Sequence, residues 1–183
     1  MKPQRIASQS YRIYGLNGAQ EVLSSGHYSI NHIDIKSRSV AEKHQVISRL
    51  LKNHKSKVNI IDSKKFGIKY NDFRTQGIVV SFEGQIKKQL PQFNEDKDIG
   101  LLLCDQITDP QNLGQIIRTA ECSGIDGLII PDRGNAQITN SVLQVSQGAF
   151  ASLPIYSCGN VQQTLKRLKD EGFWIIGVEN DSN

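Results

Sequence analysis

The residues best placed to do chemistry lie in one run, DQITDPQNLGQIIRTAECSG, residues 105–124. Asp109-Pro110 stops an extended segment and turns the chain. Asn112 can cap the helix that follows or offer its amide to a ligand. Gly114 lets backbone or substrate come close. Arg118 lies six residues after Asn112, which displaces it around a helix by roughly 120°, and one turn after Gly114, which puts those two on one face. An Arg in the first turns of a helix, beside Gly and Asn, suits a phosphate or a ribose. A helix cap followed by an Arg in a surface ion pair uses the same residue types, and physics alone leaves both readings open.

The elements around this run must position it. Residues 99–104 (IGLLLC) form an apolar run of the kind found in parallel strands covered on both faces. The motif therefore sits at the carboxyl end of a strand, where open α/β sheets place ligands. Leu113, Ile116, Ile117 and Ala120 recur at helical spacing, so a helix is expected over 112–122, closed by Gly124. Strands are expected over 127–130, 153–156 and 173–178, and helices over 139–145 and 161–169. This alternation predicts βαβ units and a parallel sheet. Upstream, helices over 15–23 and 40–51, a helical turn begun by Asp62-Ser63, and strands over 30–35, 58–61 and 77–82 form a separate α/β pattern. The expected organisation is a disordered tail (1–10), a small mixed α/β domain (11–83), a polar linker (84–98) and a parallel α/β domain (99–183).

Charge divides along the same line. Residues 1–97 hold 17 Lys and Arg against 8 Asp and Glu, a balance of +9; residues 98–183 hold 5 against 10, a balance of −5. A basic half joined to an acidic half points to a polyanionic partner for the first. Lys36, Arg38, Lys64, Lys65 and Arg74 are its candidate phosphate contacts. The three cysteines form no CxxC pair, and the four histidines lack partners at metal-ligand spacing, so no disulfide framework and no metal site are expected. Cys104 and Cys122 read as buried structural thiols. No apolar stretch approaches bilayer-spanning length and no signal-peptide core is present, so a cytoplasmic protein is expected.

The run DPQNLGQIIRTAECSG resembles the first signature motif of the SpoU-type (TrmH-like) RNA 2′-O-ribose methyltransferases, with Asp109, Pro110, Asn112, Gly114, Arg118 and Ala120 on the pattern. Ile129-Ile130-Pro131, Ser146-Gln-Gly-Ala149 and Leu153-Pro154-Ile155 fit too. Tyr14-Gly15-Leu16 with Val22-Leu23, and Gln76-Gly77-Ile78, look like the family's N-terminal substrate-binding domain, which is similar to a ribosomal-protein RNA-binding fold. The resemblance is closest to the branch that methylates a guanosine ribose in large-subunit ribosomal RNA. It implies S-adenosylmethionine as donor, a trefoil knot in the catalytic domain, an RNA partner and a homodimer. It also makes Asn112 and Arg118 the substrate-side polar residues. A guanidinium is not deprotonated in proteins. Arg118 is therefore expected to hold an RNA phosphate or polarise the 2′-hydroxyl while water or another group takes the proton.

Two family motifs are absent from these residues: a Gly-Asn-Glu-like loop, and a Ser-Leu-Asn run that opens the last helix. They supply the knot and most of the donor pocket, so cofactor-binding residues are expected after Asn183. The 183 residues are accordingly read as a truncated domain, inactive alone. A non-catalytic RNA-binding protein is the alternative function. A nucleotide-binding α/β protein is disfavoured because no GxGxxG or Walker-type loop occurs.

Overall fold

A computed structural model describes residues 9–71, 73–93 and 98–178, leaving aside the side chain of Phe73. Most of the predicted tail, residues 1–8, lies outside them, as does part of the predicted linker. Gln9 and Ser10, also assigned to the tail, already belong to a strand.

The first sheet contains β1 (Gln9–Tyr14), β2 (Ser29–Lys36), β3 (Val58–Ile61) and β4 (Ile78–Gly84), in the order β1-β4-β2-β3. β4 pairs antiparallel with β1 and β2, and β2 pairs parallel with β3. Period-two alternation turns Tyr11 and Ile13 inward with Ile33, Ile35, Val80 and Phe82, all buried in one core. Helix α1 (Leu16–Ser25) closes on Gly26 in the left-handed region. The single helix expected over 40–51 is two, α2 (Val40–Lys43) and α3 (Gln45–Leu51). His44 adopts an extended backbone between them, and its Nδ1 accepts from Ile47 N, capping α3 rather than continuing α2. Helix α4 (Ser63–Tyr70) is capped by Asp62, whose Oδ1 accepts from the backbone N–H groups of Lys64 and Lys65.

The second sheet is wholly parallel, in the order β5-β8-β7-β6, with β5 (Lys87–Gln89), β6 (Leu101–Leu103), β7 (Gly127–Pro131) and β8 (Ile155–Cys158). Helices α5 (Pro110–Cys122) and α6 (Asn140–Val145) pack through Leu113, Ile117, Val142 and Leu143 on one face. Helix α7 (Val161–Asp170) packs Leu168 against Ile129 and Cys158 on the other. The alternating α/β reading with a parallel sheet therefore holds.

Two further expectations do not hold. The segment 84–98 is not only a linker: residues 87–89 pair with β8, and Ile86 is buried in the core. An edge strand needs only backbone partners on one side, so its charged sequence (KKQ) is no obstacle. The segment 173–178 is not a strand. Trp174, Ile176 and Val178 are 95, 85 and 97% exposed. The sheet keeps two free edges, on β5 and β6, and residues 173–178 pair with neither. Phe173 turns back onto Phe93, with ring centroids 5.4 Å apart.

The two sheets share a core. Phe150, in the 3-10 turn Ala149–Ala151, stacks on Phe82 of β4 at 6.0 Å and meets Tyr28 at 6.0 Å. Burial among these rings pushes the Tyr28 hydroxyl up to about 12, with the Tyr11 phenol adding to the effect. The free edge of β1 is closed by α6. Asn140 Oδ1 accepts from Arg12 N at 2.9 Å, and the Gln144 amide takes both backbone polar groups of one residue, accepting from Tyr14 N at 3.1 Å and donating to Tyr14 O at 2.9 Å. Gly148 (φ +101) permits the closest approach. A Cβ there would lie 2.9 Å from Glu21 Cβ and 3.1 Å from Gly18 Cα of α1.

Candidate functional site

Helix α5 begins as its sequence dictates. Asp109 is the N-cap, its Oδ1 accepting from Gln111 N at 2.9 Å, and Pro110 occupies the first turn, where a missing N–H costs nothing. The cap is thus Asp109 and not Asn112. The Asn112 side chain is exposed and makes no hydrogen bond among the described residues. Gly114 is buried, and what comes close to it is α6, not a ligand: a Cβ there would stand 2.6 Å from Val145 Cβ and 2.9 Å from Val142 O.

Arg118, one turn on, emerges beside the same helix. It is exposed, makes no ion pair among the described residues, and lines a cleft of about 220 Å³ with Asn17 and Gln20 of α1 and Ser146 and Gln147 beyond α6. Asn112 does not line this cleft, so the two predicted catalytic residues are not brought together in it. Cys122 does line it. That corrects the expectation of a buried thiol: four residues after Arg118, Cys122 lies on the same exposed face. Cys104 and Cys158 are the buried ones. Burial pushes the Cys104 thiol up to about 11 and raises Cys158.

The predicted cations separate into groups. Lys36 and Arg38 line a cavity of about 720 Å³, walled also by Ser37, Ser39, Thr75 and Gln76. Arg38 has a left-handed backbone (φ 59), and its N–H donates to Glu42 Oε2. Arg74 lines a second cavity of about 340 Å³ with Tyr14, Gln76, Gln144 and Gln147, at the seam between the two sheets. Lys64 and Lys65 line none of these. They stand exposed at the start of α4, with Lys65 Nζ 4.0 Å from Asp62 Oδ2.

Beneath the basic surface lies a group that sequence reading missed. Asp34, fully buried on β2, accepts from Lys69 Nζ at 2.5 Å, from Asn59 Nδ2 at 3.1 Å and from the Tyr70 hydroxyl. Burial alone would raise its pKa, but these hydrogen bonds and the Lys69 charge bring it below the ordinary value. The same contact raises Lys69. The network fixes α4 to the sheet. A lone Asp in an alternating apolar run (INHIDI) is the signal that could have found it.

At the carboxyl end of the parallel sheet, the loops after β6 and β7 are laced together: Ile107 N donates to Asn135 Oδ1 at 2.8 Å, and Ala136 N donates to Ile107 O at 2.8 Å. Asn135 Nδ2 is buried there without a hydrogen-bond partner among the described residues. An orphaned donor at this end of a parallel sheet fits a ligand bearing an acceptor.

Comparison with known proteins decides the family. The SpoU rRNA Methylase family profile matches residues 100–183. A Staphylococcus saprophyticus protein described as a TrmH family tRNA/rRNA methyltransferase is 33% identical over 180 residues, which is 93% of this chain and 70% of the relative. The chain belongs to the SpoU/TrmH family. A Staphylococcus epidermidis relative of the same description is 34% identical over 178 residues, covering 91% of this chain and 68% of its own. Among solved structures, an AdoMet-bound rRNA methyltransferase from Sinorhizobium meliloti superposes with a TM-score of 0.67 at 20% identity. The SpoU methyltransferase AviRb from Streptomyces viridochromogenes, in complex with AdoMet, gives 0.66 at 17%. These two likenesses establish the fold. They cover 88 and 89% of this chain, and the chain spans 59% of each of theirs.

Within this SpoU/TrmH chain, the residues that sequence reading missed are mostly amides: Asn17, Gln144 and Asn135. Amides carry no periodicity or charge signal, and only the packing of the two sheets against each other gives Gln144 its role. Gln76 and Gln147 lay within noted runs but were not singled out. No helix among the described residues is long and apolar enough to cross a membrane.

Proposed function

We propose that this chain serves the transfer of a methyl group from S-adenosylmethionine to a ribose 2′-hydroxyl of RNA, with a guanosine of large-subunit ribosomal RNA as the target. The observation that carries the reading is Arg118: an exposed guanidinium without an ion pair among the described residues, on the family's first-motif helix, lining a polar cleft beside the basic domain. Lys36, Arg38 and Arg74 supply phosphate contacts, and Lys64 and Lys65 widen the basic rim. Asn112 acts from the RNA side at the start of α5. When bound, S-adenosylmethionine supplies an electrophilic methyl carbon. Asn135 Nδ2 is the donor that the described residues offer it. Arg118 stays protonated throughout, so it holds a phosphate or polarises the 2′-hydroxyl, and water or another group accepts the proton. The gene product acts as a cytoplasmic homodimer, in keeping with the family resemblance.

The alternative, RNA binding without catalysis, is favoured by one feature, the basic balance of residues 1–97, which by itself asks only for a polyanion. One experiment separates the two. The intact gene product is incubated with ribosomal RNA and a radiolabelled methyl donor, and the RNA is digested to nucleosides. Label on the 2′-oxygen of guanosine supports transfer. Bound RNA without label leaves the binding function alone, and label on a base overturns the ribose assignment.

A further inference from the structure

The three cavities described above are not isolated. Gln76 walls both the Lys36–Arg38 cavity and the Arg74 cavity, and Gln147 walls both the Arg74 cavity and the Arg118 cleft. The geometry points to one continuous RNA track, within a single chain, that runs from Lys36 and Arg38 across the seam between the sheets to Arg118 and holds a single-stranded segment. This deepens, and rests on, the reading of the protein as an RNA-binding methyltransferase.

Three features carry it. The first is shape. Separate concavities of about 720, 340 and 220 Å³, joined at single residues, suit nucleotides splayed one by one. A rigid A-form duplex cannot enter them, and sequence-specific RNA recognition targets unstacked strands. The second is chemistry. Each cavity carries a cation, and each junction carries an amide with capacity to spare. Gln76 uses its Oε1 on Leu16 N at 2.8 Å, which leaves its Nε2. Gln147 uses its Nε2 on Gln144 O at 3.3 Å, which leaves its Oε1. An amide donor and an amide acceptor complement base edges. Glu21 and Glu121 also line the Arg118 cleft, which favours ribose hydroxyls over a second phosphate at that end. The third is backbone. Gln76 (φ 50) and Gln147 (φ 55) both hold left-handed conformations that non-glycine residues rarely adopt. Such outliers cluster where a side chain must be aimed. The seam is held by Gln144 on the Tyr14 peptide, so the two halves of the track keep one register.

The test uses the full chain and fluorescence anisotropy with a labelled single-stranded RNA of about ten nucleotides and a hairpin duplex of matched length. Gln147→Glu and Gln147→Lys place opposite charges at the junction. Gln162→Glu, exposed on α7 and off the track, controls for net charge. A unit charge about 4 Å from a phosphate in water changes affinity roughly fivefold. Gln147→Glu is expected to weaken single-strand binding by that factor and Gln147→Lys to strengthen it, a pair of signs that misfolding cannot produce, while Gln162→Glu changes it less than about twofold. Equal effects at Gln147 and Gln162, or tighter binding of the duplex than of the single strand, overturn the track alone. Failure of the wild-type chain to bind either RNA overturns the underlying reading and the track with it.

Discussion

Replacing Gly148 with alanine tests whether the two sheets pack as one body. Two costs arise. The backbone sits at φ +101, beyond the left-handed well that L-residues tolerate, which costs about 1–3 kcal/mol. The new Cβ would also stand 2.9 Å from both Glu21 Cβ and Cγ and 3.1 Å from Gly18 Cα, so α1 must move, at about 1–3 kcal/mol more. Loss of unfolded-chain freedom returns about 0.4–1 kcal/mol. The net of about 1–5 kcal/mol is large against a total stability of about 5–15 kcal/mol. For a chain of this size it lowers Tm by about 2–20 °C. Gly124→Ala is the control. Its φ is +74, but nothing lies within 4 Å of the added Cβ, so it carries strain without the collision. Thermal unfolding followed by circular dichroism should give a clearly larger loss for Gly148→Ala than for Gly124→Ala, in a single transition. Equal losses, or two separate transitions in the wild-type chain, would refute the shared core.

Arg118→Ala in the intact gene product should cut methyl transfer at least ~100-fold with little change in Tm, because an exposed Arg contributes little to stability. Arg118→Lys should rescue poorly, since Lys lacks the planar fork; near-normal turnover of the Ala variant removes Arg118 from the site. Asp34 has a lowered pKa when folded, so its contribution is full above the unfolded value near 3.8 and is lost as pH falls through the folded one. The wild-type chain should therefore lose stability below about pH 4 more steeply than Asp34→Asn, and parallel acid melting curves would contradict this. Cys122 should be the thiol that reacts with a maleimide at neutral pH in the native chain, and RNA should slow that reaction. Modification of Cys104 before Cys122, or no protection by RNA, would count against the cleft.

Much of the second half of the chain was legible because its signals are local. The spacing of Leu113, Ile117 and Ala120 fixes the buried face of α5 without tertiary help, although the helix starts at Pro110, two residues before the expected start. What the chain hides is pairing. The pattern QSYRIY alternates correctly, yet its first two residues, Gln9 and Ser10, are polar and so pass for the end of a tail. KKQ has no apolar signal because β5 joins the sheet through its backbone. The run at 173–178 has the apolar signal of a strand but pairs with no other strand among the described residues. The candidate site divides the same way. Cations are visible from charge, so Lys36, Arg38 and Arg74 could be named from sequence, and Arg118 from its place in the motif. The relation of Gln144 to the Tyr14 peptide spans 130 positions of sequence and exists only once both sheets have formed. Gly114 was read as admitting backbone or substrate, and only the packed structure decides between them: the close approach is to α6.

The salt dependence of RNA binding by the full chain tests the central claim most directly. Lys36, Arg38, Arg74 and Arg118 line the three cavities, and if each neutralises one phosphate of a single strand, log K should fall against log salt with a slope of about −3. Affinity should then drop roughly 50-fold between about 50 and 200 mM salt, and each cation replaced by Ala should flatten the slope by about 0.7. Absence of binding at the lowest salt, or affinity that does not change with salt, would contradict the account.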